Sequence, residues 1–517
     1  MQFFTRLLLC FSLIVLLSYV ALLSGVSSLD MPHVASSAIH AAVHTAEHVF
    51  EDEPEEVYSE HQQSLFIDDI GENKRRLQNY LRDVDAGFAE LPERATPDLV
   101  WAAFHKSTTK DVVPWDREYA GNLWAPIRKD ESIFVSIASY RDESCPDTLV
   151  SMYHEALHPE RIFVGLVQQN CLEDCKTGVL EGGQVRDADP DPDCYAHFCK
   201  SEMGQKYCGQ VRNFLVPEPE SLGPTGARYL ASKLWFGEQY FMQIDAHMDF
   251  GKNWDAYLVE DMKRAPTRKA VLSHYPPIAN PAQPWTKQGT YRMCGATFSE
   301  SPIEYNIVRI DASAERESGP VQYPLYAPYV AAGFFMTHSS FLRDIPFDPL
   351  LPYVFMGEEL MLTLRFWTWG WDIFSPSRNV LGHWYTRRHK PKFWETVNRR
   401  FRLPNFHNKF TNIMIHRPKH IAGYPESAAD KVTVESALSD LDIYGAGPER
   451  SVEEFLEHVG LDVVAKKASK LHWCELGMPP DSRNEPERGR RVYDGSEAGI
   501  QKRRQQRKRK HLRGDKT

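Results

Sequence analysis

Asp245 and His247 stand one residue apart at the end of the run Phe241-Met242-Gln243-Ile244, ahead of Met248, Asp249 and Phe250. The run predicts a buried strand, and residues two apart leave a strand on the same face, so a carboxylate and an imidazole project together at its end. A divalent cation held by that pair would grip a diphosphate. An Asp-x-His triplet arises by chance about once in a chain of this composition, so its surroundings carry the weight. His383, between Gly382 and Trp384, is either a third protein ligand or a core histidine satisfied by one hydrogen bond. One carboxylate and one imidazole leave coordination positions for two diphosphate oxygens and for His383 as a third protein ligand, and mixed nitrogen and oxygen ligation favours Mn2+. Asp249 either supports this cluster or caps a helix starting near Lys252.

The elements that must position these groups are readable from pattern. Ile133-Phe134-Val135-Ser136-Ile137-Ala138 predicts a strand, Ser139-Tyr140-Arg141-Asp142 a polar turn, Cys145 to Leu157 a helix, and Arg161 to Val167 a second strand. That alternation predicts an α/β fold with a mostly parallel central sheet, whose ligands collect at the C-terminal ends of the strands. Tyr140, Arg141, Asp142 and the Asp245/His247 pair all fall there. Further on, Gly357 precedes Glu358 and Glu359 at the start of a predicted helix. Acids in a first helical turn stabilise any helix through its dipole, so a chemical role has to compete with that bland one.

Length and composition bound the rest. A chain of 517 residues with 42% hydrophobic content carries a substantial core and is not a disordered protein. Residues 1–27 read as a cytosolic tip and signal-anchor transmembrane helix, because Arg6 precedes an uncharged run from Leu7 to about Val26 while Asp30 is the first charge after it. This predicts a single-pass type II protein of the Golgi membrane, attached through that helix; a leader cut near Ser24-Gly25-Val26 would instead give a secreted or endoplasmic-reticulum protein. Residues 28–65 read as a flexible stem and 66–130, with Leu77, Tyr80 and Leu81 on one face, as a lead-in packed on the main domain. Residues 396–475 read as a helical extension and 476–517 as a disordered basic tail.

The tail places eight Lys and Arg between Gln501 and Arg513, and removing these from the total of 60 leaves a body of formal charge −18. No nucleic-acid partner is expected. Eight cysteines remain after Cys10 is assigned to the leader. An oxidising compartment favours disulfides over a zinc site for Cys171, Cys175, Cys194, Cys199 and Cys208, which crowd an insert at 171–208. Asp187, Asp189, Asp191 and Asp193 in that insert lack the glycine and glutamate of a calcium loop and read as solvated acids.

Several motifs occur in one order: Ser139-Tyr140-Arg141-Asp142; Gly226-Ala227-Arg228-Tyr229 through Gly237-Glu238-Gln239-Tyr240 to Gln243-Ile244-Asp245-Ala246-His247; Gly357-Glu358-Glu359; Arg365-Phe366-Trp367-Thr368-Trp369-Gly370-Trp371-Asp372; and Leu381-Gly382-His383-Trp384-Tyr385. Over about residues 131–390 they resemble the GlcNAc glycosyltransferases that attach α-linked N-acetylglucosamine to hydroxyproline or to Thr and Ser of proteins. The resemblance implies a GT-A fold over residues 131–395, UDP-GlcNAc as donor, a protein acceptor, Mn2+ or Mg2+ as cofactor, and retention of anomeric configuration. Under it Asp245, His247 and His383 would be the metal ligands. Tyr140 would stack on uracil, Arg141 or Arg228 would meet a phosphate or Asp142, and Asp142 would hold the base or ribose. Glu359, with Glu358 beside it, would orient the acceptor hydroxyl, accept its proton or stabilise charge on the sugar ring. A different class of reading keeps the fold without catalysis: a glycan-binding protein using the aromatic stretch Trp367, Trp369, Trp371, Phe374 and Trp384, residues which core packing would equally explain.

Overall fold

The computed structural model describes residues 58–477 apart from 181–182, 280–284, 303, 312–314, 317–318 and 387–389. An eight-stranded sheet organises them. In chain order its strands are β1 (Ile133–Tyr140), β2 (Ile162–Asn170), β3 (Val211–Pro217), β4 (Tyr240–Asp245), β6 (Ala270–Ser273), β7 (Leu325–Tyr326), β8 (Phe334–His338) and β9 (Asp372–Ser375). Their spatial order is β7-β9-β6-β8-β4-β1-β2-β3. Four neighbouring pairs are parallel, including β4-β1-β2-β3, and the three involving β8 or β7 are antiparallel. The fold is therefore α/β with a mostly parallel sheet, as the alternation of strand and helix predicts.

β1 is central because it has no polar face. Ile133, Phe134, Val135 and Ile137 are all at most 1% exposed, which suits a strand covered on both sides. Period-two alternation sorts the side chains between two layers. Phe134, Val167, Phe241 and Phe335 join Trp235, Phe341 and Phe366 on one face, while Val135, Ile137, Met242 and Ile244 join Leu149, Met152 and Trp254 on the other. Fully burying such side chains contributes roughly 1.5–3 kcal/mol each.

Helices α1 (Ile70–Ala89) and α2 (Pro97–Asp111) form the lead-in, and Leu77, Tyr80, Leu81, Val100 and Phe104 pack into the same cluster as Trp235. Residues 58–65, expected as the end of a flexible stem, hold a short capped helix at Glu60–Ser64, and the Tyr58 hydroxyl accepts from the Ile127 amide at 2.8 Å. The ring of Tyr58 also meets Phe66 edge-on, so a polar-looking stretch is recruited by two aromatic contacts.

The Golgi-membrane, type II placement is corrected. Among the described residues no helix is long and apolar enough to cross a membrane. The leader at 1–27, most of the stem and the basic tail from 478 onward lie outside the described residues.

All eight cysteines after Cys10 pair: Cys145–Cys194, Cys171–Cys175, Cys199–Cys208 and Cys294–Cys474. The last spans 180 residues and ties the C-terminal extension to the segment after β6. Arg292 reinforces it by donating to the carbonyls of Cys474 at 2.8 Å and Glu475 at 2.6 Å. A loop of that length gives the chain-entropy effect its largest scope, about 5 kcal/mol. Cys294→Ala with Cys474→Ala should lower the urea midpoint, and the unfolding free energy derived from it by an amount approaching that figure, while leaving the far-ultraviolet spectrum native. An unchanged midpoint would mean that apolar contacts alone hold the extension.

Candidate functional site

Asp245 ends β4 across from Ala138 of β1, so register places it on the C-terminal edge of the sheet beside the turn at Tyr140. The chain then turns through Ala246 and His247 into β5 (Met248–Phe250), which leaves the main sheet and pairs antiparallel with β10 (Leu381–His383). His383 lies across from Met248, and the Trp384 amide donates to the His247 carbonyl at 3.1 Å. This small two-stranded arm brings together residues separated by well over a hundred positions. Ligand atoms of Asp245, His247 and His383 all lie within 4.8 Å of one another, and His383 Nε2 is 3.2 Å from Asp245 Oδ2. The two imidazole rings meet edge-on with centroids 4.6 Å apart.

The donor set fits a divalent cation. One half-buried carboxylate and two imidazoles satisfy the mixed preference that Mn2+ tolerates better than Mg2+. Gly333 leaves the room: a Cβ there would sit 3.0 Å from Asp245 Oδ2. Burial would raise the Asp245 carboxyl, but the His383 hydrogen bond and the charges of Arg228 and His247 outweigh it and hold it below the usual carboxylate range. The group is thus an anion ready to ligate. Asp142 Oδ2 lies 2.7 Å from His247 Nδ1, the carboxylate–imidazole arrangement that fixes which ring nitrogen a cation would meet. Asp142, expected to hold base or ribose, is paired with the His247 imidazole.

Arg228 sits on α4 (Gly223–Ser232), which packs on β1 and β2 and is buried at every position but Pro224. Its guanidinium donates to Asp245 Oδ1 at 2.9 Å and to Glu358 Oε2, bridging two acids. Its partners are thus Asp245 and Glu358 rather than Asp142. Glu358 and Glu359 begin α5 (Glu358–Thr368), whose N-cap Gly357 has φ of 100°, a conformation that glycine adopts without strain. Consecutive helical residues face different ways, and the two acids have different company. Glu358 is buried against Arg228. Glu359 accepts from the Tyr275 hydroxyl at 2.7 Å and from the Ala332 amide at 3.0 Å, next to the Gly333 that abuts Asp245. Burial pushes both carboxyls above their ordinary range, against the pull of Arg228 on the first and of the Tyr275 and Ala332 hydrogen bonds on the second.

The first turn also departs from expectation. Tyr140 is not an open stacking face: its ring packs against the core and its hydroxyl lies 2.6 Å from Thr396 Oγ1 and 3.3 Å from Glu218 Oε1. Arg141 is fully buried, bonding to Asp191 at 2.6 Å, to Glu218 at 3.0 Å and to the Lys176 carbonyl at 3.0 Å. Asp191 is correspondingly buried and Asp193 caps the helix at Cys194–Lys200, so only Asp187 and Asp189 are the solvated acids expected of that run. Trp367, Trp371 and Phe374 are core residues and Trp369 is partly buried against the core, which leaves Trp384, 38% exposed, as the open ring of the aromatic stretch. Asp249 sits in β5 opposite Gly382, while the N-cap of the following helix is Asn253.

Sequence reasoning missed Tyr275, Gln243 and Glu218. Tyr275 had a readable signal, since it follows the apolar strand Ala270–Ser273 on the ligand-bearing edge. Gln243 sits inside β4 and donates to the Ala332 carbonyl at 2.7 Å, a partner only the fold reveals.

A model of the glycosyltransferase (GlcNAc) family matches residues 132–465. No curated protein sequence matches the chain. Among solved structures, GalNAc-T7 with UDP, GalNAc and Mn2+ is 15% identical, over 63% of this chain and 56% of that one, with a TM-score of 0.35. TarS of S. aureus, residues 1–349, in complex with UDP is 14% identical over 66% of this chain and 96% of that one, and in complex with UDP-GlcNAc 15% identical over 67% and 88%, each with a TM-score of 0.30. The chain thus spans little more than half the length of GalNAc-T7.

Arg228→Met should destabilise the protein by about 3–5 kcal/mol in chemical unfolding, because it strands two partly buried carboxylates. Arg228→Met with Glu358→Leu should recover part of that loss. A single variant as stable as the wild type would show the bridge to be dispensable.

Proposed function

Because the chain belongs to the GlcNAc glycosyltransferase family, we propose that it transfers N-acetylglucosamine from UDP-GlcNAc to a protein hydroxyl, with retention of configuration, on a GT-A fold that uses Mn2+ or Mg2+. The observation that carries the reading is the convergence of Asp245, His247 and His383 donor atoms within 4.8 Å at the C-terminal edge of the sheet. Sugar transfer from a nucleoside diphosphate needs the leaving group's charge neutralised as the glycosidic bond breaks. A cation bound by these three side chains would supply that charge.

The chain's own residues do the rest. Arg228 keeps the Asp245 carboxylate ionised and pinned through one oxygen, leaving Oδ2 toward His383 and Gly333. Asp142 holds the His247 ring. Glu359, set against Tyr275 and the Ala332 amide, orients the acceptor hydroxyl, and the upward push of burial makes its carboxylate a stronger proton acceptor. Glu358 keeps Arg228 in place. Four disulfides support an acceptor met in the oxidising secretory pathway, either Thr, Ser or hydroxyproline of a protein. Burial of three of the five aromatic candidates removes the main support for the glycan-binding alternative.

A panel of UDP-sugars assayed with and without Mn2+ tests this directly. Mn2+-dependent turnover of UDP-GlcNAc is expected, abolished by Asp245→Ala. Glu359→Gln should reduce kcat by roughly 10²–10⁴-fold with little change in nucleotide affinity. A folded, metal-supplied protein that neither turns over nor binds any UDP-sugar would sink the transferase reading.

A further inference from the structure

We propose that Asp191 is a positioning residue for the metal centre, coupling the Cys-rich insert to the His247 ligand through Arg141 and Asp142. The inference rests on the transferase reading above. Asp191 lies in the insert, away in sequence from every metal-ligand candidate, yet it is 8% exposed and densely bonded. Arg141 Nε donates to its Oδ2 at 2.6 Å and Nη2 approaches Oδ1 at 3.3 Å, while Lys390 Nζ donates to Oδ1 at 3.0 Å. A reciprocal pair of hydrogen bonds, one to its side chain and one from its backbone, fixes the loop it stands on: the Cys171 amide donates to Asp191 Oδ2 at 2.7 Å and the Asp191 amide to the Cys171 carbonyl at 2.9 Å. Cys171 is itself stapled to Cys175.

Arg141 is the link. Its φ of 48° is a left-handed conformation that costs an ordinary residue of order 1 kcal/mol or more and persists only where surroundings enforce it. The enforcing contacts here are its ion pairs to Asp191 and Glu218 and the bond from its own amide to the Gln169 carbonyl at 3.0 Å. The next residue, across one rigid peptide plane, is Asp142, whose Oδ2 holds His247 Nδ1. Turning Arg141 back to a relaxed φ would swing Asp142 and release the imidazole. Lys390 gives Asp191 a second route, binding it to the segment that follows His383 and also to Glu143 at 2.9 Å. A buried ion pair is a poor source of stability compared with apolar packing of the same volume, so its presence beneath this turn fits a demand for geometry.

Mn2+ binding measured by paramagnetic resonance, alongside thermal unfolding, separates positioning from plain stability. Asp191→Asn should raise the Mn2+ dissociation constant roughly tenfold or more. The Cys294→Ala/Cys474→Ala protein should lose more thermal stability and bind Mn2+ as the wild type does. Folded Asp191→Asn binding Mn2+ within twofold of wild type would overturn the inference while leaving the transferase reading intact. Should Asp191→Asn fail to fold, Cys171→Ala/Cys175→Ala decides. Its short loop contributes little chain entropy, so the protein should remain folded and bind Mn2+ more weakly; unchanged affinity would overturn the inference. Wild-type protein that binds no Mn2+ would instead remove the function on which the inference rests.

Discussion

The buried guanidinium of Arg228 between Asp245 and Glu358 is the interaction on which the site depends. Without a cation there, the fold would place two carboxylates close together in a region poor in water, and one would protonate. With it, Asp245 stays ionised at the edge of the sheet and Glu358 is spent as the anchor of that cation. This division explains why adjacent glutamates at one helix start are not equivalent. Glu359, turned to the other face, carries hydrogen bonds from a phenol and an amide, and burial raises its carboxyl.

Around this bridge the site is assembled from three independent pieces of scaffold. The parallel strands β4 and β1 bring Asp245 beside the turn at Asp142 through strand register. The arm formed by β5 and β10 adds His383 through antiparallel pairing. The Cys-rich insert reaches the same turn from outside the sheet by way of Asp191 and Arg141. His247 is held through Nδ1 by Asp142, so its ring is oriented without a cation.

Much of the frame was legible in the chain. Ile133 to Ile137 is apolar on both faces and had to be a central strand, Asp245 and His247 had to leave β4 together, and eight cysteines after the leader promised pairing. Period and propensity are local, and the helix at Cys145 accordingly ends within two residues of its expected limit. The roles of polar residues were less legible. Arg141, Asp142, Asp191 and Tyr140 all stand at strand ends or in a polar loop, where sequence suggests solvent or ligand, and the fold buries them against one another. The aromatic stretch from Trp367 to Trp384 shows the same ambiguity: helix α5 and strand β9 turn most of its rings inward, and only Trp384, beyond β10, faces out.

By itself the sequence determined the secondary elements, the sheet edge at which chemistry would collect, and the types of the metal-capable side chains, since each follows from spacing over a few residues. Tertiary structure alone decided which acid Arg228 would neutralise, which carboxylate would hold His247, and that His383 would close on Asp245. Those partners are separated by 17 to 138 positions, and their pairing is fixed by strand register and helix crossing. No local pattern encodes it, because a charged side chain reads the same in sequence whether it will meet water, a ligand or another buried charge.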